Sequence, residues 1–331
     1  EMYKAYTTRA FKDNDKNNTE LIKRIVNLRL KQANLLGYSS YADFILEERM
    51  AQSSDKVMTF LDELLDASLD AANQELKDVE ELAKSLGASH RIEKWDWAFY
   101  TEKLKVKLFN FNEEELKPYF QLEKVKEGIF FLANRLYGLT FKQVSNIPVY
   151  HSDVFVYEVY DNDGSFLSLL YLDFFPRSGK SGGAWMTSYR SQYMHNGQNV
   201  RPLVSVVTNF TKPTSDTPSL LTFDEFTTFL HEFGHALHGM LASTTYPNLS
   251  GTSVYRDFVE LPSQMLENWG VEKEFLDKFA THYKTGESLP QSMVQSIIDS
   301  RNFLAGNLSI RQLSFGLVDM AWHSIQKPFS G

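Results

Sequence analysis

With 331 residues, 43% of them hydrophobic and 23% charged, the chain is long enough for one large domain or two modest ones and can bury a sizeable core. Its net charge of −8 argues against nucleic acid as a partner, because phosphate binding needs clustered Lys and Arg. It has no cysteine, which excludes a disulfide framework and any Cys-ligated metal, and no apolar run approaches the ~20 residues of a membrane-spanning helix.

The first 120 residues read as helices. Asn18 is the expected N-cap of one, with Leu21, Ile25, Leu28 and Leu35 at helical spacing and Gly37 as the stop. A second is expected over 41–51. A long one runs from about Ser54 to Leu86 and ends at Gly87. Its apolar stripe is Val57, Phe60, Leu61, Leu64, Leu65 and Leu69, with acids opposite. Trp95, Trp97, Phe99 and Tyr100 follow and read as core packing rather than a ligand site.

After about Gly138 the pattern changes. Val154 to Tyr160 and Ser165 to Phe174 are rich in β-branched and aromatic residues and flank Asp161-Asn162-Asp163-Gly164, a hairpin signal. The two aspartates belong to the turn, since the rest of a calcium loop is missing. Ser178 to Gly183 is Gly-rich without the lysine and hydroxyl pattern of a phosphate loop, and reads as a mobile or tightly turned segment. Val204 to Phe210 is expected as another strand. Pro213 and Pro218 bracket a linker, and from Thr222 the chain is helical again. The expected organisation is a helical lobe (1–138), a mixed segment (139–221) and a second helical lobe (222–331), forming one continuous domain.

The last lobe carries the chemistry. Thr222 with Glu225 makes a capping box. Phe226, Phe229, Leu230, Phe233, Leu237 and Leu241 give the helix an apolar surface. Inside it sits His231-Glu232-Phe233-Gly234-His235. Residues four apart lie on one helix face, about 6 Å apart along the axis. Two imidazoles there converge on one zinc at about 2.0–2.1 Å each. Glu232, beside the first ligand, is placed to take a proton from the attacking water. Composition alone produces this spacing only about 0.02 times in such a chain, so chance is a poor account of it. His238 faces the same way but lies about 10.5 Å along the axis from His231, too far for one ion to bridge. It reads as packing or as a hydrogen-bond partner.

A catalytic zinc needs three protein ligands and an open position. Without cysteine the third is His, Asp or Glu. The segment Asp257 to Glu267 offers three acids near the start of another helix, with Pro262 suited to its first turn. Spacing does not choose between Glu260 and Glu267, and the other would orient a ligating histidine. Asp257 is expected either in that orienting role or as a helix cap.

Phe229 to His238, Ser250-Gly251-Thr252 and Arg256 to Gln264 resemble the thimet oligopeptidase and peptidyl-dipeptidase family of zinc peptidases. Tyr171-Leu172-Asp173-Phe174 and Gly182-Gly183-Ala184-Trp185-Met186 look most like its bacterial peptidyl-dipeptidase branch. The likeness spans nearly the whole chain, from near Tyr6-Thr7-Thr8-Arg9. It implies that Glu260 is the third ligand to a single Zn2+. It implies a mainly helical zincin-type fold with a small antiparallel sheet beside the zinc helix and a deep cleft. It implies short peptides as substrates, with release of C-terminal dipeptides or internal cleavage by the same machinery. It places Gly182 to Trp185 and the Val204 to Phe210 strand along the cleft, where a peptide pairs as an added strand. The chain starts at Glu1 and stops at Gly331, so it reads as a fragment, about half of a typical member and incomplete at both ends. It stops before the glycine-rich loop whose histidine and tyrosines assist the tetrahedral intermediate in that family. Electrostatic help of that kind is worth ~10²–10³ in rate, so the fragment is expected to bind zinc and cleave peptides poorly.

The remaining expectations are a monomer with no nucleic-acid or membrane partner, in the cytoplasm, with the periplasm as the alternative. Rival readings are a zinc hydrolase of non-peptide amides and a binding module with a degenerate site. Glu232 speaks against the module, since a structural site needs no base. His90, His151, His195, His282 and His323 are scattered and read as structural, His195 lying nearest the Gly-rich loop.

Overall fold

Helix starts follow caps written into the chain. The Ser40 hydroxyl accepts from the Asp43 N–H and the Ser53 hydroxyl from the Lys56 N–H, each satisfying a donor that the first turn leaves open. The structure, a computed structural model, describes residues 1–109 and 112–330. In chain order its helices are α1 (Met2–Thr7), α2 (Thr19–Leu35), α3 (Tyr41–Leu46), α4 (Ser54–Ser85), α5 (Trp97–Phe109), α6 (Glu113–Leu116), α7 (Leu122–Tyr137), α8 (Phe223–Met240), α9 (Leu261–Glu267), α10 (Lys273–Leu276), α11 (Gln291–Ser300) and α12 (Ala305–His323). Between α7 and α8 lie β1 (Thr140–Val144), β2 (Val154–Tyr160), β3 (Phe166–Asp173), β4 (Trp185–Arg190), β5 (Tyr193–His195), β6 (Gln198–Val200) and β7 (Leu203–Val207).

The chain divides into two compact units, Glu1–Phe109 with Ser300–Gly331, and Asn110–Asp299. The division differs from the three consecutive segments expected: α12 falls in the first unit, where it lies along α4. Gly306 permits that contact, since a Cβ there would meet the Ala72 nitrogen at 2.6 Å. The Glu75 carboxylate then accepts from the Gly306 and Asn307 N–H groups at 2.9 and 2.7 Å, capping α12. Leu61 of α4 packs with Ala42, Leu313 and Met320. Of the aromatic group at 95–100, Trp97 and Tyr100 pack against Val79, Leu82 and Leu104, whereas Trp95 and Phe99 are exposed. The face of α2 that turns inward is Val26, Leu30 and Ala33; the expected stripe of Leu21, Ile25, Leu28 and Leu35 faces solvent. That helix is apolar on two sides, and spacing within it cannot say which side meets a neighbour.

The second unit is built on a five-stranded sheet of order β1-β2-β3-β7-β4. β2 and β3 form the expected hairpin, with Gly164 at φ +80° in its turn. The sheet is mixed, not antiparallel as expected. β7 runs parallel to β3 and antiparallel to β4. β3 and β4 run in opposite directions with one strand's width between them, so any strand filling that gap must parallel one of them. The Val204 to Phe210 strand is accordingly interior, not at a sheet edge; the edge strands are β1 and β4. α8 packs against β7, β4 and β3. Phe120, Phe174, Phe226, Phe229 and Phe233 are wholly buried in the core between them and the following helices.

Candidate metal centre

α8 is pinned at both ends. At its start Thr222 and Glu225 form the reciprocal capping box, at 3.0 and 2.8 Å. Past its end the Arg201 guanidinium donates to the carbonyls of Met240 (2.7 Å) and Ala242 (3.2 Å), and to Leu167 of β3 (2.7 Å). A cation on the last carbonyls suits the helix dipole, and it ties the helix to the sheet. Between these anchors α8 is buried on most sides. His231, His235 and His238 form the half-buried stripe that the 3.6-residue repeat predicts.

A second helix reaches the stripe because of a glycine. A Cβ on Gly234 would stand 2.6 Å from the Ser263 Cα and 2.7 Å from the Pro262 carbonyl. Only a residue without a side chain lets α9 come this close. Gly251, at φ +56°, crosses over Gly239 in the same way and steers the chain toward α9.

The outcome is a cluster of three donors. Nε2 of His231 and Nε2 of His235 stand 3.2 and 3.1 Å from Oε2 of Glu260. One ligand atom from each residue lies within 4.8 Å of the others, and no other such cluster of His, Asp and Glu occurs among the described residues. The buried Ser263 hydroxyl lies 2.8 Å from the Glu260 carbonyl and 3.0 Å from Oε2, which orients the carboxylate. Glu267 meets His231 from the other side, its Oε1 2.6 Å from Nδ1. Both acids that spacing left open therefore face His231, on different ring nitrogens.

That contact orients the ring. A carboxylate only accepts, so Nδ1 of His231 donates to Glu267, and Nε2 is the ring nitrogen turned to Glu260. Burial holds His235 below its usual pKa, with His231 adding to the effect and Glu260 only partly offsetting it. Two ring nitrogens and a carboxylate oxygen converging on one point have the chemistry of a cation site. The spacing of Glu260 Oε2 to each ring nitrogen also fits one, since donors about 2.05 Å from a tetrahedral ion sit about 3.3 Å from one another.

Glu232 is 8% exposed. Burial pushes its carboxyl up; His231 works against this, Glu260 adds to it, and the N–H of Met186 on β4 donates to it and works against it. The net effect is upward, toward the range useful to a general base. His238 is no part of the cluster. Its Nδ1 is buried without a hydrogen-bond partner and its ring stands edge-on to Phe258 at 6.4 Å. Asp257 is outside the cluster too, and the N-cap position of α9 is held by Glu260 itself. His195 sits at the end of β5, remote in contact from the stripe, with Tyr193 and Asn196 as neighbours.

Sequence reading missed Gly234, Ser263 and the Met186 N–H. The first left a trace: glycine inside a helix costs about 1 kcal/mol relative to alanine, so its presence there asks for a close approach. The Ser263 hydroxyl turns back on Glu260 within the start of α9, whereas the Met186 contact crosses between elements and leaves no trace.

Two imidazoles one turn apart, a carboxylate from a second helix and a buried acid beside them make up the donor set used by catalytic zinc hydrolases. The chain belongs to peptidase family M3, whose sequence model matches residues 1–328. This bears out the resemblance seen in residues 229–238 and 250–264. The chain is similar to the dipeptidyl carboxypeptidase of Escherichia coli K12, 39% identical over 98% of this chain and 48% of the relative. It is 41% identical to organellar oligopeptidase A of Arabidopsis thaliana, over 99% of this chain and 42% of the relative. It is 37% identical to oligopeptidase A of E. coli K12, over 100% of this chain and 50% of the relative. The chain thus spans about half the length of the curated relatives it matches. No helix among the described residues is long and apolar enough to cross a membrane.

Proposed function

We propose that this chain carries the zinc centre of a peptidase acting on short peptides, with release of C-terminal dipeptides as the reaction. The observation that carries the reading is the meeting of His231 Nε2, His235 Nε2 and Glu260 Oε2. These three would hold one Zn2+. When bound, the ion supplies a Lewis acid for the scissile carbonyl and makes water a better nucleophile near neutral pH.

The chain's own residues do the rest. Glu232 accepts the proton of the attacking water and delivers it to the leaving amine. Burial that raises its basicity suits the first task, and the acid so formed suits the second. Glu267 keeps the His231 ring turned toward the site, and Ser263 does the same for Glu260. The free edge of β4 offers unpaired backbone groups to an extended peptide, which would add as a further strand.

Dipeptide release is favoured by the likeness to a dipeptidyl carboxypeptidase. The comparable likeness to oligopeptidases supports internal cleavage as the second reading. Peptides amidated at the C-terminus separate the two: an exopeptidase of this kind loses them as substrates, whereas an endopeptidase retains them. The underlying reading is tested by metal analysis of the purified chain. One zinc per chain, lost in Glu260→Ala and kept in Glu232→Gln, is expected. A chain that takes up no zinc at neutral pH overturns it.

A further inference from the structure

The Gly-rich segment after β3 is tightly held. Asp173, the last residue of β3, is 1% exposed. Its carboxylate accepts both terminal nitrogens of Arg177 (2.8 and 2.9 Å), the ammonium of Lys180 (2.9 Å) and the Tyr150 hydroxyl (3.0 Å). The Lys180 side chain is 3% exposed. Its ammonium also donates to the carbonyls of Asp173 (3.0 Å) and Phe175 (2.8 Å), so all three N–H groups are used. Farther along, the Asn209 amide donates to the carbonyls of Ser181 (2.9 Å) and Gly183 (2.7 Å). The backbone from Phe175 to Gly183 thus returns onto the end of β3 and onto Asn209, just past β7.

This segment delivers β4. Met186 pairs with Val206 of β7, and its N–H donates to Glu232. Its methyl group fits the notch at Gly239 of α8, where a Cβ would lie 2.5 Å from it. A buried ammonium and a buried carboxylate are costly to desolvate, and an apolar pair could anchor a loop at lower cost. What the polar network adds is direction: four donors on one carboxylate admit one loop path.

We infer that Asp173 and Lys180 are positioning residues for Glu232, acting through the 175–183 loop to set where the Met186 N–H meets its carboxylate. This rests on the hydrolytic role given to Glu232 above. The loop carries no group to the reacting atoms. Its part is to hold the backbone donor that faces the Glu232 carboxylate.

The test uses the whole chain loaded with zinc, as Lys180→Met and, separately, Asn209→Ala. The second variant releases the far end of the loop from a half-buried position and serves if the first fails to fold. Met186 amide exchange, zinc content, kcat and KM are measured. Met186 exchange faster by at least ~10-fold is expected, with Val206 unchanged. A kcat lowered by ~10–100-fold at unaltered zinc content and KM is expected as well, since small misplacements of a catalytic group cost this much. A variant that folds and holds zinc but leaves both Met186 exchange and kcat at wild-type values overturns the inference. If the wild-type chain takes up no zinc, the proposed function falls, and Met186 exchange alone still decides whether the network positions this strand.

Discussion

Replacing Gly234 with alanine tests how the two helices make the centre. Propensity alone favours the change by about 1 kcal/mol, because alanine is the better helix former. The structure opposes it. The new Cβ would lie 2.6 Å from the Ser263 Cα and 2.7 Å from the Pro262 carbonyl, whereas ordinary contact begins at 3.4 Å. Both neighbours are backbone atoms, so no side chain can swing aside. α9 must retreat by about 0.8 Å, and overpacking of this kind costs about 1–3 kcal/mol. The steric term therefore exceeds the propensity term. Metal binding is affected more sharply, because Glu260 sits at the start of α9 and ligand distances tolerate only about 0.2 Å. A retreat about four times that tolerance takes the third donor out of range. We expect zinc affinity to fall by at least ~100-fold, read by competition with a chromophoric chelator, with a small loss of stability in urea. Gly234→Ala with wild-type zinc affinity would refute this account of the α8–α9 approach.

Glu267→Ala removes the acceptor that meets His231 Nδ1, and zinc affinity should fall ~10–100-fold while Glu260 stays in place; unchanged affinity would show that the contact does not orient the ring. Arg201→Met strips donors from the carbonyls of Leu167, Met240 and Ala242, and should lower unfolding free energy by at least about 3 kcal/mol in urea, with a loss below about 1 kcal/mol counting against the anchoring role. The acid limb of stability should carry the signature of Asp173. Burial pushes its carboxyl up, but Arg177, Lys180 and Tyr150 prevail and hold it below the usual carboxylate range. A depressed folded pKa contributes stability that is complete above the unfolded value of about 3.9 and disappears as pH falls through the lower folded value. The difference in urea stability between wild type and Asp173→Asn should therefore be constant near neutrality and shrink below about pH 4; a difference that does not shrink there would contradict the ion pairing.

The local parts of this protein were legible in its residues because their causes are local. The capping box at Thr222 and Glu225, the 161–164 turn and the His231–His235 spacing each depend on residues within a few positions of one another. So did the pairing of β2 with β3, joined by a short turn. The imidazole pair needed only the helical repeat. Selection of Glu260 by spacing failed for a physical reason: both acids do reach His231, and which nitrogen each meets depends on how closely α9 approaches α8. The same kind of contact turned α2 onto Val26, Leu30 and Ala33, drew α12 to α4, and put β7 between β3 and β4. Periodicity states which residues share a face; it holds no information about what that face will meet. Partner choice is made by packing between segments far apart in the chain, where a missing Cβ at Gly234 or Gly306 weighs as much as any side chain.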